Sequence, residues 1–280
     1  MSARPVKRIF QGDGVAIAAD CFGEPSVRPI LFAHGGGQSR TAWRGAARAA
    51  ADAGYYAVSL DLRGHGDSDW APDGDYHFES YVRDFAAIVT ELGGRAALVG
   101  ASLGGRVALL MATTHVEMVA ALALADVTPR IDEDVADDMR EFFHRSAEGF
   151  ETIDEAAALL AALTEDKNPS PAVRLLPHLV EREGRLHWRW DPRFVQGRFV
   201  AESKQLQLLE NSARALTTPT IMIRAEKSTV VRAEHVEEFK RTSPHIETCI
   251  APGIGHMLTG DANDAYAPLL LDFFRRVYPA

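Results

Sequence analysis

Short β-branched or apolar runs alternate with longer stretches of helical periodicity over the first 128 residues. Strands are predicted at Val15–Phe22, Pro29–Ala33, Tyr56–Leu60, Ala96–Val99 and Ala120–Ala125. The later ones are apolar throughout, as strands covered on both faces are. Between them Val82, Phe85, Ile88, Val89 and Leu92 recur at helical spacing, as do Leu103, Val107, Leu110 and Met111, which predicts helices with one buried stripe. Met1–Arg8 leads into a further strand-like segment. This alternation is that of an α/β fold: a mostly parallel sheet flanked by crossover helices on both faces.

From about Pro129 to Leu216 the texture changes. Ile131–Asp138 carries five acids in eight residues, the pattern of a solvated helix face, and Ala156–Leu163 reads as an alanine/leucine helix. The βαβ rhythm returns at Pro219 with a strand at Thr220–Ala225, a helix near Ala233–Arg241 and a strand at Ile246–Ala251. A last amphipathic helix uses Tyr266, Leu269, Leu270, Phe273, Phe274 and Val277. The expected organisation is one α/β core, residues 1–128 and 217–280, with residues 129–216 inserted before the last two strands as a helical cap.

Composition narrows the class. At 46% hydrophobic and 25% charged residues over a length of 280, the chain is neither disordered nor fibrous. A net charge of −9 argues against nucleic acid as a partner. Cys21 and Cys249 are the only cysteines, which excludes a disulfide scaffold or thiolate zinc site and suits a reducing cytoplasm. No export signal is seen, and no apolar run approaches the ~18 residues of a membrane span. Nothing in the pattern indicates an oligomer.

Three glycine-bearing motifs carry candidate chemistry. Gly100-Ala101-Ser102-Leu103-Gly104 lies between an apolar strand and a helix, where small flanking residues allow a tight turn that exposes the serine hydroxyl. His34-Gly35-Gly36-Gly37 follows the strand Pro29–Ala33, so the N–H groups of Gly36 and Leu103 could form a two-donor oxyanion hole. Gly253-Ile254-Gly255-His256 follows the strand Ile246–Ala251 and puts a histidine at the carboxyl end of a parallel strand, the natural base for Ser102. Gly35, Trp43, Trp188 and Trp190 are candidates for contacting a substrate, although packing is the commoner use of such tryptophans. No metal-ligand spacing and no dinucleotide fingerprint occurs, so neither a metal nor another cofactor is expected.

In these motifs the chain resembles the α/β-hydrolase superfamily, in its lid-bearing serine esterase, lactonase and perhydrolase-like branch. Asp61-Leu62-Arg63-Gly64-His65-Gly66-Asp67-Ser68 matches that superfamily's stereotyped turn after the fourth strand. The resemblance implies Ser102 as nucleophile, His256 as base and a small-molecule acyl substrate, favouring a small or medium carboxylic ester. A lactone, a thioester or an activated carbon–carbon bond would be cleaved by the same machinery. It also implies an acid near residue 229, where this chain has Thr229. Asp126, at the end of the strand Ala120–Ala125, is the first substitute and Glu226 the second. The remaining alternative is a catalytically impaired, ligand-binding member of the fold.

Overall fold

The computed structural model describes residues 4–25, 28–164, 172–195, 202–256 and 262–280. Ten strands lie in these residues: β1 (Val6–Gln11), β2 (Ala16–Phe22), β3 (Pro29–Ala33), β4 (Tyr56–Leu60), β5 (Ala96–Ala101), β6 (Val119–Ala125), β7 (Leu179–Arg182), β8 (Arg185–Trp188), β9 (Thr220–Ala225) and β10 (Glu247–Ala251). All but β7 and β8 form one sheet of order β1-β2-β4-β3-β5-β6-β9-β10. Within that sheet only the β1–β2 and β2–β4 pairings are antiparallel. The strands predicted from sequence coincide with β2 to β6, β9 and β10 to within two residues. β1 was legible only as a strand-like segment because it is an edge strand, in which Phe10 alone is buried and Lys7 and Arg8 interrupt the alternation.

Two apolar clusters flank the sheet. On one face α2 (Phe78–Glu91) and α3 (Ser102–Thr114) bury Phe85, Ile88, Val89, Val107, Leu110 and Met111. On the other, α1 (Arg44–Asp52) and the C-terminal helix Ala267–Val277 bury Ala46, Ala47, Ala50, Phe273 and Phe274. The stripes of α2, α3 and the C-terminal helix are those read from the sequence; that of α1, built of alanines, is not. No described helix is long and apolar enough to cross a membrane.

Between β6 and β9 the chain leaves the sheet through α4 (Glu133–Ala147), α5 (Ile153–Thr164), a 3₁₀ segment (Ala172–His178), the β7–β8 hairpin and α6 (Glu202–Ala215). The insertion is therefore not purely helical, contrary to the sequence reading. Glu183 at φ 52° and Gly184 at φ 77° form a turn of two consecutive left-handed residues, the geometry that joins short antiparallel strands. Strands of only four residues, with Glu181, Arg182 and Arg185 next to the turn, carry no alternating apolar signal.

The segment after the hairpin is fastened to the Asp61–Ser68 turn. Gly66 N–H donates to Arg189 O at 2.7 Å and Asp191 N–H to Gly64 O at 2.8 Å, so that His65 and Trp190 pair as an isolated bridge. Tyr76 Oη donates to the buried Asp191 carboxylate at 2.6 Å, and Arg189 pairs with Asp67. The turn is itself anchored by buried Asp61, which accepts the backbone N–H groups of Arg40 and Asp67 and pairs with the Arg40 guanidinium.

Candidate active site

The strand-to-helix junction β5–α3 raises Ser102 at φ 44°, a left-handed conformation uncommon for a residue other than glycine. The turn is possible only because its glycines let backbones meet. A Cβ on Gly100 would lie 2.5 Å from the Gly104 carbonyl, and one on Gly104 would lie 2.5 Å from Ala33 O and 2.6 Å from His34 O. The elbow is thus pressed against the end of β3, and Gly104 N–H donates to His34 O at 3.1 Å.

That contact sets the glycine loop beside the serine. A Cβ on Gly35 would lie 3.3 Å from Ser102 Cβ. Gly35 N–H is taken by Gln38 Oε1 at 2.8 Å, and Gly37 N–H donates to His65 Nε2 at 3.2 Å. The N–H of buried Gly36, and that of Leu103 in the first turn of α3, have no hydrogen-bond partner among the described residues. Gly35 therefore borders Ser102 without a free donor, whereas Gly36 and Leu103 keep theirs.

Two histidines shape the loop from behind. His34 Nε2 accepts Leu62 N–H at 3.0 Å, which leaves Nδ1–H to donate to Gly35 O at 2.7 Å. Complete burial pushes the His34 pKa down to about 4, while its bond to Gly35 O works the other way and the Arg40 charge adds to the fall. His65 Nδ1 lies 3.0 Å from Arg63 O. Both rings act as neutral struts, and neither is a base. A histidine that ionises near 6.5 when unfolded and near 4 when folded binds fewer protons in the native state between those values. Its contribution is fully present above 6.5 and is lost as pH falls towards 4, at a total cost of about 3 kcal/mol. The His34 Cε1–H resonance should accordingly show no ionisation step near pH 6.5 and one only near 4. A step at the ordinary histidine value would refute this account.

Asp126 follows β6 at φ 50° and continues the pairing with β9 through Asp126 N–H to Ile223 O at 2.8 Å. Its side chain is 3% exposed and receives three donors. Ala225 N–H reaches Oδ1 at 2.9 Å, Ser228 Oγ reaches Oδ2 at 2.6 Å, and His256 Nδ1 lies 2.6 Å from Oδ2. With Nδ1 on the carboxylate, His256 keeps a buried Nε2 that has no partner among the described residues. Nearby Tyr266 has its pKa raised by burial and by the Asp126 charge, so it stays a neutral phenol. The ends of β5, β6 and β10 place Ser102, Asp126 and His256 along the carboxyl edge of the sheet.

The other candidates separate clearly. Thr229 is exposed, and exposed Glu226 spends Oε2 on Gly253 N–H at 2.7 Å, so neither meets the His256 ring. Trp43 is corrected to a core residue: it is fully buried between Phe32 and Tyr266, and its N–H donates to Ala33 O at 3.0 Å. Trp188 is likewise a packing group of the insertion, set against Phe142 and Phe150 and donating to Ser146 Oγ at 3.2 Å. Trp190 does approach the loop, its Nε1 3.8 Å from where a Gly37 Cβ would stand. Phe143, which no sequence motif marked, lies closer still at 3.3 Å. Its only signal was a place on the buried stripe of α4, together with Met139 and Phe142.

Residues 28–262 match the protein family described as alpha/beta hydrolase fold. Esterase Rv0045c of Mycobacterium tuberculosis is 28% identical over 267 residues, 92% of this chain and 86% of that protein. The sn-1-specific diacylglycerol lipase ABHD11 of Mus musculus is 25% identical over 260 residues, 90% of this chain and 82% of the other. Among solved structures, that of E-2-(acetamidomethylene)succinate hydrolase superposes with a TM-score of 0.81 at 23% identity, covering 99% of this chain and 100% of that one.

Proposed function

Since the chain belongs to the alpha/beta hydrolase fold family, we propose that it is a cofactor-independent serine hydrolase acting on a small or medium carboxylic ester through an acyl-enzyme on Ser102. The observation that carries this reading is the 2.6 Å contact between His256 Nδ1 and Asp126 Oδ2, which leaves Nε2, unpartnered among the described residues, as the basic nitrogen. Ser102 Oγ attacks the carbonyl carbon while its proton passes to His256 Nε2. Charge on the former carbonyl oxygen is met by the N–H groups of Gly36 and Leu103, already fixed in place by the loop and by the N-terminus of α3. The protonated imidazole then gives its proton to the departing alkoxide. Water, deprotonated by the same nitrogen, attacks the acyl-enzyme and regenerates the serine.

Residues 129–216 serve in this reading as a cap that excludes bulk water and limits substrate size. The aromatic wall of Phe143 and Trp190 against Gly37 supports a small acyl group. The esterase and lipase names of the two relatives support an ester in place of a carbon–carbon bond.

A serine-directed phosphonate and a panel of chromogenic acyl esters of graded length test the reading. Stoichiometric labelling is expected, with kcat/KM falling at least about tenfold once the acyl chain outgrows the aromatic wall. A protein that neither labels nor hydrolyses any member of the panel would be a binding member of the fold, and the proposal would fall.

A further inference from the structure

The acid does not act alone. A carboxylate on a single rotatable bond has a broad, roughly two-fold torsional preference, so its plane is set by what it bonds to. Asp126 Oδ1 is held by Ala225 N–H at 2.9 Å, while Oδ2, the oxygen that faces His256, is held by Ser228 Oγ at 2.6 Å. Ser228 is 8% exposed and lies in the turn after β9, where Ser228 N–H donates to Ala225 O at 3.1 Å.

Its hydroxyl has no freedom left. A serine oxygen offers one proton and two lone pairs. Val231 N–H donates to Oγ at 2.9 Å and Val230 N–H at 3.3 Å, which occupies both lone pairs. The remaining proton must point at Asp126. The turn that carries Thr229 in place of an acid thus supplies a hydroxyl to the carboxylate at the end of the neighbouring strand, β6.

We propose that Ser228 is a positioning residue that fixes the Asp126 carboxylate plane, and through it the ring orientation and tautomer of His256. The proposal rests on the triad reading above. Without Ser228 the Oδ2 atom keeps only the His256 contact, the carboxylate is less restrained about its Cβ–Cγ bond, and the imidazole loses its fixed aim.

A double-mutant cycle on the full-length enzyme tests this. Ser228→Ala is expected to lower kcat about tenfold, with KM unchanged within about twofold, because substrate binding does not involve the hydroxyl. Ser228→Thr, which keeps the hydroxyl, should restore most of that loss. In an Asp126→Asn background, Ser228→Ala should change kcat by less than about twofold, since the group it positions no longer works. An equal loss in both backgrounds, or no rescue by threonine, would make Ser228 a structural residue and overturn the proposal. So would wild-type kcat in Ser228→Ala. If the alanine variant does not fold, Ser228→Cys, similar in size but a weak donor, carries the same cycle. Should Asp126→Asn alone leave kcat intact, it is the triad reading that fails, an outcome separate from a failure of Ser228 within a working triad.

Discussion

Ser102→Ala is expected to abolish ester hydrolysis, lowering kcat by on the order of 10⁵ to 10⁶ and removing all labelling by a serine-directed phosphonate. The size follows from the role: without the hydroxyl no acyl-enzyme can form, and the free Nε2 of His256 has no proton to accept. Some acceleration over water should survive, because the Gly36 and Leu103 donors still stabilise an oxyanion raised by direct attack of water. The fold should be unaffected. Alanine keeps the volume that the elbow requires beside Gly35, so the melting temperature should stay within about 2 °C of the parent. Activity within tenfold of the parent, with the protein folded, would remove Ser102 from the mechanism.

Asp126→Asn should be the second largest effect, a fall in kcat on the order of 10⁴. Three donors converge on this carboxylate, so an amide cannot satisfy them all. If the amide oxygen stays on Ala225 N–H, its NH₂ group meets both Ser228 and the His256 ring. Ser228 Oγ cannot readily accept from it, because two backbone N–H groups already do so. The imidazole relieves the clash by moving its proton to Nε2, which turns the nitrogen needed as a base into a donor. Thr229→Asp, by contrast, places a carboxylate at an exposed position and should change kcat by less than about threefold. Stopped-flow and steady-state assays of the two variants side by side decide the matter. A strong gain from Thr229→Asp, with little loss from Asp126→Asn, would make Asp126 structural.

That pair of variants also separates what is local in the chain from what is not. Position 229 looks empty in sequence because the motif is local, and a local motif has no means of representing a partner on another strand. Asp126 and His256 are 130 positions apart. They meet because β6, β9 and β10 are neighbours, and because Asp126 turns left-handed where its strand ends. Ser228 carried no signal for the same reason. Trp43 and Trp190, equal candidates as letters, end respectively in the core behind the sheet and against the glycine loop.

What the amino-acid order determined unaided was local: largely apolar strands buried on both faces, helices with one apolar stripe, and a Gly-x-Ser-x-Gly turn in which a Cβ at Gly100 or Gly104 would collide with backbone. Those features follow from side-chain period and backbone sterics within a few residues. Which carboxylate serves His256, which aromatic ring reaches Gly37, and where the Asp61 turn grips the inserted segment were decided only by tertiary structure. Each depends on the order and register of strands brought together across long chain separations, and hydrogen-bond geometry at that range is written in no short stretch of sequence.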